Sequence, residues 1–125
     1  MDDLVQWLRA QLDEDERIAR AADDSLGKMN LDWTYQPEDK LGGKVVSARG
    51  ADLIYDVAVG IGEHVSVHDP RRVLREIDVK RRVIVGLQHL LRGDDPFVTS
   101  IADDSLRALA EPYADRPGYR DQWRP

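Results

Sequence analysis

The sequence predicts an α+β fold, and three features of its pattern indicate that class. A long stretch from Pro70 to Arg92 repeats apolar residues at the three- and four-residue spacing of an amphipathic helix. Helical patterns also occupy the N-terminus and the stretch after Gly93. Residues 31–59 divide into short apolar runs separated by turn-forming residues, as in an antiparallel meander. We therefore expect an N-terminal helix, a small antiparallel β-meander, a long central helix and a C-terminal helix with a packed aromatic tail, in a single domain over residues 1–125.

The first helix is predicted from about Asp3 to Ala22, with Asp3 as its cap. Residues 23–30 indicate a loop, because Asp, Ser, Gly and Asn are frequent in them. A sheet of three short strands is marginal by itself and needs a helix against one face. We expect the long central helix to supply that cover. The predicted strands are Leu31–Tyr35, Lys44–Ala48 and Leu53–Val59.

Residues 60–68 fit two structures. Gly60 and Gly62, with alternating Val65 and Val67, favour a strand. The polar residues among them suit one short helical turn before the long helix.

The central helix has the clearest boundaries. Asp69 can cap its N-terminus, Pro70 suits the first helical position, and Gly93 can take the left-handed conformation that ends a helix. Lys80 interrupts the apolar face, so we expect its side chain to reach solvent, with Glu76 as an ion-pair partner one turn earlier. The apolar face comprises Val73, Leu74, Ile77, Ile84, Leu87, Leu90 and Leu91.

The C-terminal helix is predicted to begin at Asp95 and Pro96 and to end near Pro112. The tail beyond it is rich in Tyr, Trp and Arg, which dominate hot spots at interfaces. Disordered tails are usually poor in aromatic residues. We therefore expect the aromatic cluster of Tyr113, Tyr119 and Trp123 to pack onto the body and to be structural. The predicted apolar face of the helix is Phe97, Ile101, Ala102, Leu106, Leu109, Ala110 and Tyr113.

The amino-acid composition narrows the classes of function that this protein could have. The net charge of −6 argues against nonspecific binding to nucleic acid or anionic membranes. The absence of cysteine excludes thiolate catalysis and Cys-based zinc sites, and it suits a reducing cytoplasm. No signal peptide and no apolar run of membrane-spanning length is visible, so we expect a cytoplasmic protein without a membrane partner. The usual nucleotide-binding, zinc-protease and esterase motifs are also missing, so no catalytic residue and no cofactor is predicted.

Two clusters could carry a function. His64 and His68 are spaced to lie on one helix face and could hold a divalent ion, with Asp69 or Glu63 as a third ligand. The alternative is that both are ordinary polar residues at a helix junction, since Asp69 already serves as a cap.

The second cluster is a row of arginines that could follow a phosphate backbone or contact a protein. Asp78 interrupts the row, and the alternative is a solvated face with internal ion pairs such as Arg72–Glu76 and Asp78–Arg82. The row consists of Arg71, Arg72, Arg75 and Arg82.

Two long motifs, HDPRRVLREIDVKRRVIV with the preceding EH and LRALAEPYADRPGYRDQWRP, are distinctive. They resemble a family of small uncharacterised proteins from actinobacteria and their phages, known only as a domain of unknown function. The opening MDDLVQWLRAQLDEDERIARAA is similar too, whereas residues 23–60 depart most from the family pattern. The resemblance implies a bacterial or phage setting and favours a helix over residues 63–68. It supplies no activity, cofactor or catalytic residue.

We therefore expect a small non-enzymatic protein-interaction module whose partner is another protein. Two alternatives stay open. One is an accessory protein that contacts nucleic acid through the basic central helix. The other is a metal-binding module or metal-dependent hydrolase at His64, His68 and Asp69.

Overall fold

The computed structural model describes residues 1–24 and 31–125 and has the predicted α+β fold. The predicted loop at residues 23–30 is wrong at its start, because the first helix runs to Asp24, and its remaining residues lie outside the described ones. In chain order the elements are α1 (Asp2–Asp24), β1 (Trp33–Pro37), β2 (Gly42–Ser47), β3 (Asp52–Ala58), α2 (Val59–Val67), α3 (Pro70–Leu91) and α4 (Pro96–Ala110), followed by 3₁₀ turns at Glu111–Tyr113 and Asp121–Trp123.

The chain divides into two compact units. Unit 1 comprises Met1–Glu14 and Ile77–Pro125, and unit 2 comprises Asp15–Glu76. Each unit has buried apolar residues of its own. The expectation of a single domain over residues 1–125 stays a prediction.

Unit 1 is built on one face of α1. Leu4, Leu8 and Leu12 follow one another every four residues, so they lie on the same side of the helix, and all are buried. Further buried side chains of this core come from α3 and α4. They include Ile77, Ile84, Ala102, Leu106 and Ala110.

The first turn of α1 differs from the prediction. The helix begins at Asp2, so Asp3 lies inside the first turn and the prediction that it is the cap is wrong. Its carboxylate accepts a hydrogen bond from the Arg120 guanidinium at 3.1 Å. An acid at this position also complements the positive end of the helix dipole.

Lys80, the polar residue in the apolar face of α3, is half-buried in unit 1. Its ammonium donates a hydrogen bond to the Tyr113 hydroxyl at 3.1 Å and lies 5.3 Å from the centre of that ring. The expected partner, Glu76, instead pairs with Arg72 at 2.9 Å. The hydroxyl and ring of Tyr113, rather than solvent or a carboxylate, therefore compensate for the partial burial of the Lys80 charge.

The N-terminal caps of α3 and α4 are the predicted aspartates. The Asp69 carboxylate accepts hydrogen bonds from the backbone N–H of Arg72 at 2.9 Å and of Trp33 at 3.1 Å, so it starts α3 and fixes the start of β1. The Asp95 carboxylate accepts from the N–H groups of Phe97 and Val98 and starts α4 as predicted.

The C-terminus of α3 does not follow the prediction. The helix ends at Leu91, and Gly93 donates its N–H to the Leu90 carbonyl at 3.1 Å. Among the described glycines, positive φ angles occur at Gly50 and Gly118 and not at Gly93. The expectation of a left-handed cap at Gly93 is therefore wrong.

Unit 2 contains the sheet. The strand order is β1-β2-β3 and both pairings are antiparallel, with Tyr35 opposite Val45 in the first and Gly43 opposite Val57 in the second. The register of the second pairing shifts within β3, where Asp56 has a φ of 49°. Asp tolerates this left-handed conformation better than most residues, and it allows the bulge that bends the strand.

The ambiguous residues after β3 form helix α2, as the family resemblance favours. α2 contacts all three strands, so it supplies the cover that we had expected from the long helix. Gly62 makes this packing close, because a Cβ there would overlap the Tyr35 ring and lie 3.0 Å from a Val57 methyl. The glycine that suggested a strand is thus the point where a helix approaches the sheet.

We expect Gly62→Ala to lower the free energy of unfolding by about 1–3 kcal/mol, because the added methyl overpacks the contact with Tyr35. Gly60→Ala is the matched control. A Cβ at Gly60 meets nothing within 4 Å, so the change should raise stability by about 0.5 kcal/mol through backbone entropy. Urea unfolding followed by circular dichroism measures both, and equal shifts would contradict the packing described.

Candidate interaction surfaces

The histidine cluster is partly assembled. His64 and His68 lie on one face of α2 and its C-cap, with ring centres 4.4 Å apart, and His68 Nδ1 lies 2.9 Å from the His64 carbonyl oxygen. Asp69 is engaged as the cap of α3 and the anchor of β1. Among residues 1–24 and 31–125, no group of three or more His, Asp or Glu side chains is placed to hold a metal ion. The metal site stays a prediction.

The arginine row is largely paired with carboxylates. Within unit 2, Arg71 binds Asp32 at 2.7 Å and Arg72 binds Glu76 at 2.9 Å. The hydrogen bond that Arg71 donates to Asp32 and the negative charge of Asp32 raise the pKa of Arg71 above its usual value. These pairs reduce the positive potential that a phosphate backbone would meet.

Within unit 1, Arg82 pairs with Asp78 at 3.1 Å, as the sequence suggested, with both side chains about 70% exposed (71% and 70%). Arg75 is exposed on α3. Contact of Arg71, Arg72, Arg75 and Arg82 with nucleic acid or protein stays a prediction.

The aromatic tail packs inside unit 1 around Trp7. The Trp7 ring lies 5.4 Å from Tyr119 and 5.5 Å from Trp123, and its Nε1–H donates to the Pro117 carbonyl at 3.0 Å. Gly118 adopts a φ of 86° beside the indole, and a Cβ there would lie 2.9 Å from Trp7 Nε1. The tail is therefore docked on α1.

Two arginines of the tail lie against its aromatic rings. The Arg116 guanidinium lies 4.8 Å from the centre of the Tyr113 ring, and Arg120 lies 5.2 Å from that of Trp123. Tyr113 and Trp123 are themselves buried. Arg107 of α4 also donates to the Gln122 carbonyl.

Unit 1 leaves a set of large apolar side chains exposed on α3 and α4. Their exposed fractions run from 42% to 73%, with Phe97 the highest. Monomeric proteins rarely expose such side chains in contiguous groups unless the surface binds something. We call this set the α3–α4 apolar face. It comprises Val79, Val83, Leu90, Phe97 and Ile101.

The α3 part of this face borders α4. Lys80 contacts Tyr113, at the end of α4, whereas Arg81 binds Asp13 of α1 at 2.8 Å. These two residues therefore mark opposite sides of the buried surface of α3. Successive residues of an α-helix advance by about 100° around its axis. Arg81 therefore lies about 100° from Lys80 in one direction, and Val83 lies about 60° from Lys80 in the other direction. It is thus on the α4 side.

The α4 part of the face lies away from the buried side of that helix. Arg107 reaches the tail at Gln122 on one side of the buried surface of α4. Phe97 and Ile101 are exposed on the surface of α4 that lies away from Ala102, Leu106 and Ala110.

The α3 stripe has a second feature. Val79, Val83, Gly86 and Leu90 follow at spacings of four, three and four residues, which is the spacing of a helix–helix seam. A Cβ at Gly86 would meet nothing within 4 Å. Among residues 1–24 and 31–125, no neighbour therefore requires a glycine at this position, although glycine in the middle of a helix costs about 1 kcal/mol relative to alanine.

Sequence reasoning missed this face. It assigned Leu90, Phe97 and Ile101 to the buried surfaces of their helices, and the structure exposes all three. The spacing of Val79, Val83 and Leu90 is a signal that could have revealed a second stripe on α3, separate from Ile77 and Ile84.

No helix in the described part of the chain is long and apolar enough to cross a membrane. The fold is that of a small α+β protein with a docked C-terminal tail and an exposed apolar helix face. The chain belongs to a family of unknown function (DUF6221), whose family model matches residues 1–125. No curated protein and no solved structure gives a significant match.

We expect Trp123→Ala to lower the free energy of unfolding by about 3–5 kcal/mol, because it removes a buried ring that packs on Trp7. Tyr55→Ala, at a residue that is 67% exposed, is the control and should change stability by less than about 1 kcal/mol. Chemical unfolding followed by circular dichroism compares them. Similar small losses in both variants would show that the tail does not support the fold.

Proposed function

We propose that this protein is a non-enzymatic protein-interaction module and that it binds through the α3–α4 apolar face. The observation that carries the proposal is the exposure of five large apolar side chains on α3 and α4 of unit 1. Leaving such surface in water costs about 25 cal/mol for each Å². A partner that covers these side chains recovers this free energy.

The interaction that we propose lies at the α3–α4 apolar face rather than along the arginine row. Arg71 and Arg72 already have carboxylate partners within unit 2, so little of their charge is available to a ligand. Arg82 is exposed on α3, where a charge contributes to orientation more than to affinity. Apolar side chains at the centre and charges at the rim are the usual arrangement of a protein interface.

The setting that we propose is the cytoplasm of an actinobacterial cell, or such a cell during phage infection. The support for this setting is the similarity of the motifs HDPRRVLREIDVKRRVIV and LRALAEPYADRPGYRDQWRP to proteins of those sources.

The test compares two identical substitutions on α3. Val83 is 42% exposed inside the apolar face, and Val85 is 60% exposed on a different side of the helix. We expect Val83→Asp to reduce capture of a bound protein at least about tenfold when tagged protein is expressed in an actinobacterial host, because it places a charge in the apolar centre. Val85→Asp should retain capture at the wild-type level.

Both variants should keep the circular dichroism spectrum and melting temperature of the wild type, because both sites are exposed. Equal capture by the two variants, or equal loss, would count against the apolar face as the binding surface. Phe97→Asp provides a second variant on α4, where the side chain is 73% exposed.

A further inference from the structure

We infer that a cleft between β1 and α2 binds a small organic ammonium ion, with the nonpolar part of the ion against aromatic side chains. The cleft belongs to unit 2, so the inference goes beyond the proposed function and does not depend on the α3–α4 apolar face. Its basis is an unpaired carboxylate, two aromatic rings and two buried hydroxyls without partners. Among the described residues, the lining consists of Trp33, Thr34, Tyr35, Glu63, Ser66 and Val67.

The cleft lies next to the point where α2 packs on the sheet. At that point Gly62 brings the helix against the Tyr35 ring. The three lining residues of α2 are spaced three and one residues apart, so they share one side of the helix. Trp33 is two residues from Tyr35 on β1, so the two rings lie on the same face of the sheet. The cleft has a volume of about 390 Å³, which is at the lower end for pockets that hold small molecules.

Glu63 supplies the negative charge of the cleft. It is exposed, and in the part of the chain that the structure describes its carboxylate forms no ion pair or hydrogen bond. The other five lining residues carry no charge. An ionised carboxylate accepts hydrogen bonds and donates none, so it binds best to a cation that has N–H groups.

The two aromatic residues of the lining attract the same kind of ion. The faces of Trp and Tyr rings are negative, and an organic cation that lies over such a face is stabilised. Trp33 and Tyr35 are both partly exposed, and Val67 adds apolar surface that is 54% exposed. An inorganic cation would gain the contact with the carboxylate but would leave this apolar surface in water. The lining therefore favours an ammonium group that carries a nonpolar body.

Two hydroxyls of the lining are buried and lack a hydrogen-bond partner. Tyr35 Oη and Ser66 Oγ are two of the three such side-chain atoms in the described part of the chain. A buried hydroxyl without a partner costs free energy, so a ligand N–H that reaches either oxygen offsets a cost that the fold carries. Both residues are partly exposed, and a rotation about χ1 of Ser66 can turn its hydroxyl toward the cleft.

The surroundings of Tyr35 also favour a cation. Partial burial, followed by the negative charges of Glu63, Asp39 and Glu38, raises the pKa of the Tyr35 hydroxyl above its usual value. The hydroxyl therefore stays protonated at neutral pH, and the carboxylates around it attract positive charge.

The experiment is a titration of the ¹⁵N-labelled full chain with phenethylammonium chloride, followed by heteronuclear NMR. We expect saturable shifts of the Trp33 indole N–H and of the Glu63 and Ser66 amides, with a dissociation constant on the order of 1 mM for a ligand of this size. The indoles of Trp7 and Trp123 are the internal control, because neither lines the cleft. The uncharged analogue 2-phenylethanol should bind at least about fivefold more weakly.

Two variants and a control locate the site. Glu63→Gln should raise the dissociation constant of phenethylammonium at least about threefold and leave that of 2-phenylethanol unchanged, because it removes only a charge. Glu111→Gln is the matched control, since Glu111 is also exposed but does not line the cleft, and it should bind like the wild type. Ser66→Ala should weaken binding about threefold while the melting temperature stays at or above that of the wild type, because its hydroxyl has no partner in the fold.

The absence of saturable shifts up to roughly 20 mM, or equal affinity for phenethylammonium and 2-phenylethanol, would overturn the inference. Equal effects of Glu63→Gln and Glu111→Gln would also overturn it, because binding would then follow net charge rather than the cleft. A parallel titration with Nα-acetyl-lysine amide distinguishes the sources of the ammonium group. Tighter binding than phenethylammonium indicates a lysine side chain of a peptide, weaker binding indicates a free amine, and both results support the inference.

Discussion

The indole of Trp7 contacts the rings of Tyr119 and Trp123 and donates a hydrogen bond to the Pro117 carbonyl. Without these contacts the tail would have few apolar partners to offset the entropy lost on ordering it. The left-handed Gly118 is part of the same constraint, since only a residue without a Cβ both adopts that backbone and fits against the indole. The docking of the tail on α1 therefore depends on one side chain.

Much of the fold could be predicted from local chemistry. Asp69 and Asp95 start their helices because a carboxylate before a helix satisfies free N–H groups, whatever the rest of the chain does. The packed tail was predictable because aromatic residues are unfavourable in water. The role of Gly62 was not, since a glycine within a helix suggests a strand or loop until the Tyr35 ring is known to lie against it. Gly93 shows the opposite error. A glycine just after the helix predicted a left-handed cap, but Gly93 does not have a positive φ angle.

The candidate surface was harder to predict than the fold. A helical pattern shows which residues share a side, but it does not show how many sides of the helix find partners. Leu90 and Ile101 were assigned to the core because they are apolar, and the structure exposes both. Lys80 was expected in solvent, and it is held by Tyr113, a residue 33 positions away. Tertiary contacts at this distance have no local signature.

The division of the chain has a consequence for the order of folding. Unit 2 is one continuous segment, Asp15–Glu76, whereas unit 1 joins Met1–Glu14 to Ile77–Pro125. Trp7 and the Pro117 carbonyl that it binds are 110 residues apart. On the ribosome, where roughly 5–20 residues are added each second, the first helix therefore waits for its aromatic partners for on the order of ten seconds. During that interval all residues of unit 2 have been made, whereas the Trp7 indole still lacks its aromatic partners.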